Sequence, residues 1–333
     1  MSAEITFTTG LAFLDESIVL AGAADSLEAF SPFTRIVQYS ETTPPYWWKS
    51  DKDWRVCSFA YFGPSDEDFD DYVVLSEEGH VQYVGDHPPL LEKISGAGVF
   101  SEDAEGWGYL SDLQQIGEHL YAAGYAGQVY KRLGPNQWVH MDDGILQPTG
   151  MRGGQYSVQV INGPHENAIY VAGCINAPYY PVRASYWNGK TWIDLQLPES
   201  AERLTNIYVE SEQRIWMCGA NGTLLLGNAQ EGFCNLSGVE DNQLFLSLCK
   251  FQDKIYLGSN LGLFVYDPAD HPAGIRKVIT DLTPDLQDAN IVDSVDDVLW
   301  SIGSKDIARF DGEHWERIHH PDNPPIGGAA GTP

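Results

Sequence analysis

The chain has 333 residues, 43% of them hydrophobic, and 47 acids against 19 bases leave a formal net charge of −28. That length buries a large core, either as one big all-β domain or as two ordinary ones. A surface so acidic repels nucleic acid and anionic membrane and attracts basic proteins, so the expected partner is a basic protein, with no nucleic acid and no membrane.

The first 17 residues, MSAEITFTTGLAFLDES, carry no basic n-region, no long apolar run and no small-residue cleavage site, so they do not read as a signal peptide. No stretch approaches the ~18 to 20 apolar residues of a membrane span. The five cysteines form no C-x-x-C pair, and reduced thiols fit a cytoplasmic protein.

From residue 18 onward one unit recurs: an apolar strand that ends near a small residue, a turn bearing Gly or Asn, and a second strand. Seven copies begin at 18–22, 72–76, 120–124, 169–173, 215–219, 255–259 and 299–303. The second residue of each, Val19, Val73, Tyr121, Tyr170, Trp216, Tyr256 and Trp300, gives spacings of 54, 48, 49, 46, 40 and 44. Such spacings suit a four-stranded blade of ~40 to 50 residues. The expected fold is all-β, a seven-bladed β-propeller of four-stranded antiparallel blades over 1–320, with a flexible C-terminal tail at 321–333. Copies three to seven carry the pattern most clearly. The seven anchors are expected to be core, filling the space between neighbouring sheets.

Two copies end in a hairpin, at Asn188-Gly189 and at Asp311-Gly312, residue pairs suited to a tight type I′ turn. The N-terminal strand at 4–8 could pair with the last blade; equally, 314–318 could complete that blade from within.

In the sixth copy Tyr256, Gly258, Asn260, Gly262-Leu263, Tyr266 and Asp267 follow the order aromatic, Gly, polar turn, Gly-Leu, and an aromatic before Asp. This resembles the propeller repeat of two-component-regulator sensor domains, and the copies at Trp216 and Trp300 match it in part. The resemblance implies the fold and carries no function. No copy has the Gly-His and Trp-Asp pair of Trp-Asp repeats.

Motifs for chemistry are missing. Gly189-Lys190-Thr191 ends like a phosphate-binding loop, yet the first glycine of that motif would fall at Ala184 and the triplet sits in a hairpin. No G-x-S-x-G elbow and no H-E-x-x-H helix occurs. The adjacent His319 and His320 point apart on an extended strand and read as surface residues. Asp66, Asp68 and Asp70 stand at positions 1, 3 and 5 of a twelve-residue loop with Glu77 at position 12, but Asp71 occupies the place where a calcium loop turns on Gly. The segment reads as a solvated acidic loop; no cofactor and no metal is expected.

The charge is unevenly placed. Between Val56 and Tyr130 there is one base, Lys93, against 14 acids, and the first 34 residues hold no base. Asp66, Glu67, Asp68, Asp70 and Asp71, with Glu102, Asp103 and Glu105, are expected to form one negative face. The aromatic insertions holding Trp47 and Trp48, and Tyr179 and Tyr180, are expected to join it as contact residues.

The whole chain resembles propeller-like immunity proteins of interbacterial (type VI secretion) toxins. That resemblance implies a non-catalytic cytosolic protein that occludes a basic toxic effector, such as a nuclease. A protein-interaction scaffold or lectin-like propeller is the alternative. A propeller glycosidase or lyase is the second, because any two of so many carboxylates could converge.

Overall fold

Apolar runs between turns rich in Gly, Asn and Asp form 28 strands in a computed structural model, which describes residues 4–63, 71–85, 90–149, 154–237 and 243–328, and the backbone alone of Asp71. The first blade is β1 (Ile5–Leu14), β2 (Ser17–Ala24), β3 (Thr34–Ser40) and β4 (Trp47–Lys52). The second is β5 (Val56–Phe62), β6 (Asp71–Ser76), β7 (His80–Val84) and β8 (Leu90–Lys93). The third is β9 (Leu110–Ile116), β10 (His119–Gly124), β11 (Val129–Gly134) and β12 (Gln137–His140). The fourth is β13 (Gln155–His165), β14 (Ala168–Asn176), β15 (Val182–Trp187) and β16 (Trp192–Asp194). The fifth is β17 (Leu204–Ser211), β18 (Arg214–Gly219), β19 (Leu224–Asn228) and β20 (Gly232–Asn235). The sixth is β21 (Phe245–Phe251), β22 (Lys254–Ser259), β23 (Gly262–Tyr266) and β24 (Ile275–Lys277). The seventh is β25 (Ile291–Val295), β26 (Val298–Ile302), β27 (Ile307–Phe310) and β28 (Trp315–Arg317).

Each sheet is a four-stranded antiparallel meander contiguous in sequence, so the fold is a seven-bladed β-propeller. Among the described residues no strand is exchanged: β1 pairs with β2, and β28 completes the seventh blade. The chain divides into two compact units, Met1–Arg55 with Ser237–Pro333, and Val56–Leu236. The first holds blades one, six and seven, the second blades two to five.

The recurring apolar strand is the second of each blade, not the first. A second strand has a partner on either side and buried residues on both faces, so it reads as a continuous apolar run. All seven anchors are buried. The innermost strands are harder to read because a bulge breaks their alternation in six blades, between Phe7 and Thr9, Val56 and Ser58, Leu110 and Asp112, Val158 and Val160, Leu204 and Asn206, and Phe245 and Ser247. The skipped residue turns its side chain to the neighbouring strand: Thr8, Ser111 and Thr205 each donate a hydroxyl to a carbonyl of the second strand at 3.2 Å.

The bulge explains the glycine that ends the apolar run in blades three, four and five. It presses the innermost backbone against the end of the second strand, where a Cβ on Gly124, Gly173 or Gly219 would lie 2.3, 2.0 or 2.1 Å from a carbonyl oxygen. Only glycine fits there.

Apolar clusters fill the spaces between successive blades. In Val56–Leu236 one joins Phe62, Val73 and Tyr83 to Leu113 and Tyr130, a second joins Tyr121 to Tyr156 and Val171, and a third joins Tyr170 to Met217 and Leu225. In the other unit Ile18 and Val37 pack with Trp300 and Ile302. Each fully buried aromatic contributes about 2 to 3 kcal/mol.

Both expected hairpins form, with different turns. Trp187 pairs with Trp192 across four loop residues, and Asn188 is not left-handed. Its side chain accepts the N–H groups of Lys190 and Thr191 at 3.0 Å, and Gly189 supplies the single positive φ. Asp311 does the same for Glu313 and His314. These are Asx-capped loops instead of type I′ turns.

Just after Pro321 the chain is anchored at two residues, Asp322 and Asn323. The Asn323 side chain is buried and accepts the Ile5 N–H at 3.0 Å, and Asp322 pairs with Arg35 at 2.9 Å. His320 is 4% exposed, edge-on to Trp47 with ring centroids 4.6 Å apart, so only His319 of that pair is at the surface. Residues 329–333 lie outside the described part.

Candidate partner-binding surface

Every blade has two ends. The first-to-second and third-to-fourth turns lie at one, the lower; the second-to-third turn and the crossover to the next blade lie at the other, the upper.

At the upper end of the second blade, the β6–β7 turn places Glu78 under the crossover loop that runs to β9. One carboxylate oxygen, Oε2, accepts the N–H groups of Val99, Phe100 and Ser101, each at 3.0 Å. Three donors on one oxygen hold the loop rigid, and Phe100 stands on it 82% exposed.

Glu102, Asp103 and Glu105 share this loop and are all exposed. Asp103 turns inward: its Oδ2 accepts the Gly96 N–H at 3.2 Å, and Lys93 Nζ lies 3.3 Å from Oδ1. Partial burial works to raise this carboxyl, but the Gly96 N–H and the Lys93 ammonium outweigh it and hold it below the ordinary range. Lys93 also donates to the carbonyls of Ile94 and Ala97. The one base in this stretch is thus spent inside the loop, and Glu102 and Glu105 have no ion pair among the described residues.

Tyr179 and Tyr180 lie at the upper end of the fourth blade, in the β14–β15 turn. They are 98% and 56% exposed, and both are left-handed, with φ of 73° and 43°. Bulky residues avoid that region, so the turn holds two large rings in water at a cost in backbone strain.

Asp66, Glu67, Asp68 and Asp70 fall outside the described residues, and Asp71 opens β6. The strand ends flanking this segment, Phe62 and Asp71, pair at the lower end of the second blade. Glu78 and the loop of Glu102 to Glu105 sit at its upper end.

Trp47 and Trp48 open β4, in the other unit. Successive strand residues face opposite ways. Trp47 packs on Tyr39, with centroids 5.0 Å apart, and on His320, while Trp48 is 37% exposed. Trp47 is half-buried, and Trp48 is the more exposed of the two.

A second acidic feature escaped the sequence reading. In the unit holding blades one and seven, a cavity of about 360 Å³ is lined by Asp15, Glu16, Glu41, Asp311 and Glu316 around Arg309. Arg309 reaches Glu41 at 2.5 Å and Glu316 at 2.7 Å, which raises its own pKa and lowers that of Glu41. The Asp311 hairpin was legible; its meeting with Glu41, some 270 residues earlier in the chain, was not.

The most strongly buried carboxyls are structural. Burial raises Asp112 and Asp293 to about 6 against the hydrogen bonds that lower them, and both accept backbone N–H groups from the next blade. Glu92, fully buried, is bridged by Arg132 at 2.9 Å and by Trp138 Nε1 at 2.8 Å, with the guanidinium over the Phe62 and Tyr83 rings. No disulfide joins any of the five cysteines. No helix among the described residues is long and apolar enough to cross a membrane.

With this architecture in view, the chain is 28% identical over 213 residues to Immune protein Tsi7 of Pseudomonas aeruginosa strain PAO1. The match covers 64% of this chain and 65% of the relative, just under two thirds of its length. No family model matches the chain. Among solved structures it is similar to the WD40 β-propeller domain of Doa1, at TM-score 0.62 and 11% identity over 93% of each chain. It is also similar to YCF48 bound to D1 peptide, at TM-score 0.60 and 13% identity over 96% of this chain and 94% of that one. At such identities these two establish the propeller fold alone. The sequence resemblance to an immune protein is the functional finding.

Proposed function

We propose that this protein is an immunity protein: it binds a toxic protein and holds it inactive by covering its working surface. The observation that carries the reading is the 213-residue match to Immune protein Tsi7. Such a role needs shape and charge complementarity and no catalytic residue of its own.

In its finer form, the partner is a basic effector of a type VI secretion system, such as a nuclease, met in the cytoplasm. The net charge of −28 supports this. So do the local ion pairs: Lys93 is tied to Asp103, Lys131 to Glu166 and Arg132 to Glu92, so the bases near blades two and three do not offset the exposed acids. The contact residues on this reading are Glu102, Glu105, Tyr179 and Tyr180, with Asp66, Glu67, Asp68, Asp70 and Asp71 steering association and Trp48 on the first blade. Such steering speeds association and weakens with salt.

The test is co-expression with the toxin encoded beside this gene, scored as survival, with purified-complex binding measured at low and high salt. Survival with the chain and death without it supports immunity. Death in both cases overturns it, and binding indifferent to salt removes the electrostatic form of the contact.

A further inference from the structure

At the lower ends of blades four and five a cavity of about 410 Å³ opens among the β13–β14, β17–β18 and β19–β20 turns. Its floor is Tyr170 and Tyr186, ring centroids 4.9 Å apart. Their hydroxyls are held from the fifth blade: Tyr170 accepts the Ala229 N–H at 3.1 Å, and Tyr186 accepts Gln230 Nε2 at 3.3 Å.

Asn228, 3% exposed, organises the wall. Its Oδ1 accepts the N–H groups of Gln230 and Glu231, and its Nδ2 donates to the Gln213 carbonyl and to Glu231 Oε2, each at 3.2 Å. Both amide donors of Asn228 and one of Gln230 are therefore engaged within the wall. What faces the cavity is weighted toward acceptors: the Glu212 carboxylate, whose neighbour is His165 Nε2 at 3.5 Å, and the second oxygen of Glu231.

We propose that this cleft receives the guanidinium of an arginine presented by the protein partner. Two carboxylates above tyrosine rings repel an anion and suit a planar cation. Arginine brings five N–H donors and no acceptor, pairs with carboxylates in a fork and packs on aromatic rings. The volume lies at the small end of ligand cavities, ~300 to 1,000 Å³, which fits one side chain better than an oligosaccharide. Because Asn228 and the two hydroxyls are already fixed, little ordering is needed on binding. The inference rests on the immunity reading only for the source of the arginine.

The test needs no toxin. The ¹⁵N-labelled full chain is titrated with the peptide Ac-Gly-Arg-Gly-NH₂, with its citrulline and lysine counterparts, and with methyl glucoside. The arginine peptide is expected to shift the Asn228 and Gln230 side-chain amides saturably, and the neutral citrulline isostere to bind about tenfold more weakly. The Glu212→Gln/Glu231→Gln double variant, which keeps an oxygen for Asn228, is expected to lose the same about tenfold with an otherwise unchanged spectrum. Equal binding of arginine and citrulline, equal binding by the double variant, or no shift with the arginine peptide overturns the proposal. Tighter binding of lysine overturns the guanidinium, and shifts with the glucoside alone reassign the cleft to carbohydrate. Survival is not read here, so a silent cleft leaves the immunity reading standing, and an arginine-binding cleft in a chain that protects against nothing leaves the cleft standing.

Discussion

Asp112, on the innermost strand of the third blade, accepts the backbone N–H of Ile161, on the innermost strand of the fourth, at 2.9 Å. The same clasp recurs in variants. Ser58 accepts the Leu113 N–H at 3.2 Å, Ser247 accepts the Val292 N–H at 2.9 Å, and Asp293 accepts the Ala12 N–H at 3.0 Å. Neighbouring blades are thus tied by one side chain reaching a backbone N–H that its own sheet leaves unpaired.

The clasp has a pH signature. Burial raises Asp112 from 3.8 to about 6, so its ionised form is disfavoured in the folded chain. Its contribution to stability is full below pH 4, is lost as pH rises through 6, and amounts to on the order of 2 kcal/mol. Asp112→Asn removes the titration but sets its amide nitrogen against one of the two backbone N–H groups that the carboxyl accepts, so the variant is expected to lose less stability than the wild type between pH 4 and pH 7, whatever its offset at pH 4. Urea unfolding across that range measures the difference; parallel curves would show that the carboxyl is not held protonated.

His320 acts in the opposite direction. Burial lowers it from 6.5 to about 4, helped by His319, Lys49 and Arg35 against Asp322. Its neutral form is stabilising above pH 6.5, and that contribution is lost as pH falls through 4. His320→Asn, neutral throughout, is expected to remove this acid-side loss in unfolding curves between pH 6.5 and 4, whatever its offset at neutral pH. A variant that keeps the same slope there would remove His320 as its source.

The close approach at the second-strand ends predicts a sharp contrast among glycines. Gly173→Ala places a Cβ 2.0 Å from the Ser157 carbonyl oxygen and forces two backbones apart. The expected loss is about 3 kcal/mol or more. Gly134→Ala, whose nearest neighbour would lie at 3.8 Å, is expected to change stability by less than about 0.5 kcal/mol. Thermal unfolding compares the two, and equal effects would refute the steric account.

Glu92 and Arg132 predict a second contrast. Glu92→Gln leaves a guanidinium that is 5% exposed without its counter-charge, at a cost of about 3 to 5 kcal/mol. The pair Glu92→Leu/Arg132→Met, apolar on both sides, is expected to recover most of that loss in chemical unfolding. If the double variant is as unstable as the single, the cost comes from the lost contact and not from the stranded charge.

These residues mark where the sequence was legible. The second strands stood out because burial on both faces makes them uniformly apolar, and Gly124, Gly173 and Gly219 punctuated them because a bulge demanded glycine. The bulges hid the innermost strands, since Ser111 and Thr205 interrupt the alternation that a strand search relies on. The surface was harder. Trp47 and Trp48 are adjacent and chemically alike, and only the strand register sends one inward. Glu78 lies 21 residues before Val99, and only the meander brings its carboxylate under the loop of Val99. The clefts at Arg309 and at Tyr170 join turns of different blades, which no local pattern announces.

Tyr179 and Tyr180 allow strain and contact to be separated. Both pay for a left-handed backbone, and Tyr179 is almost wholly in solvent. Asn tolerates that backbone far better than Tyr, so Tyr179→Asn is expected to leave stability unchanged or raise it by up to about 1 kcal/mol. On the immunity reading the ring is a contact anchor, and its removal is expected to weaken binding of the neutralised toxin by about tenfold or more. On that reading the strain is set against an external contact, because the exposed ring returns little in packing. Melting curves and binding isotherms on the same variant decide the matter: full binding by Tyr179→Asn would show that the strain serves the turn itself, and a loss of both stability and binding would show that the ring is packed after all.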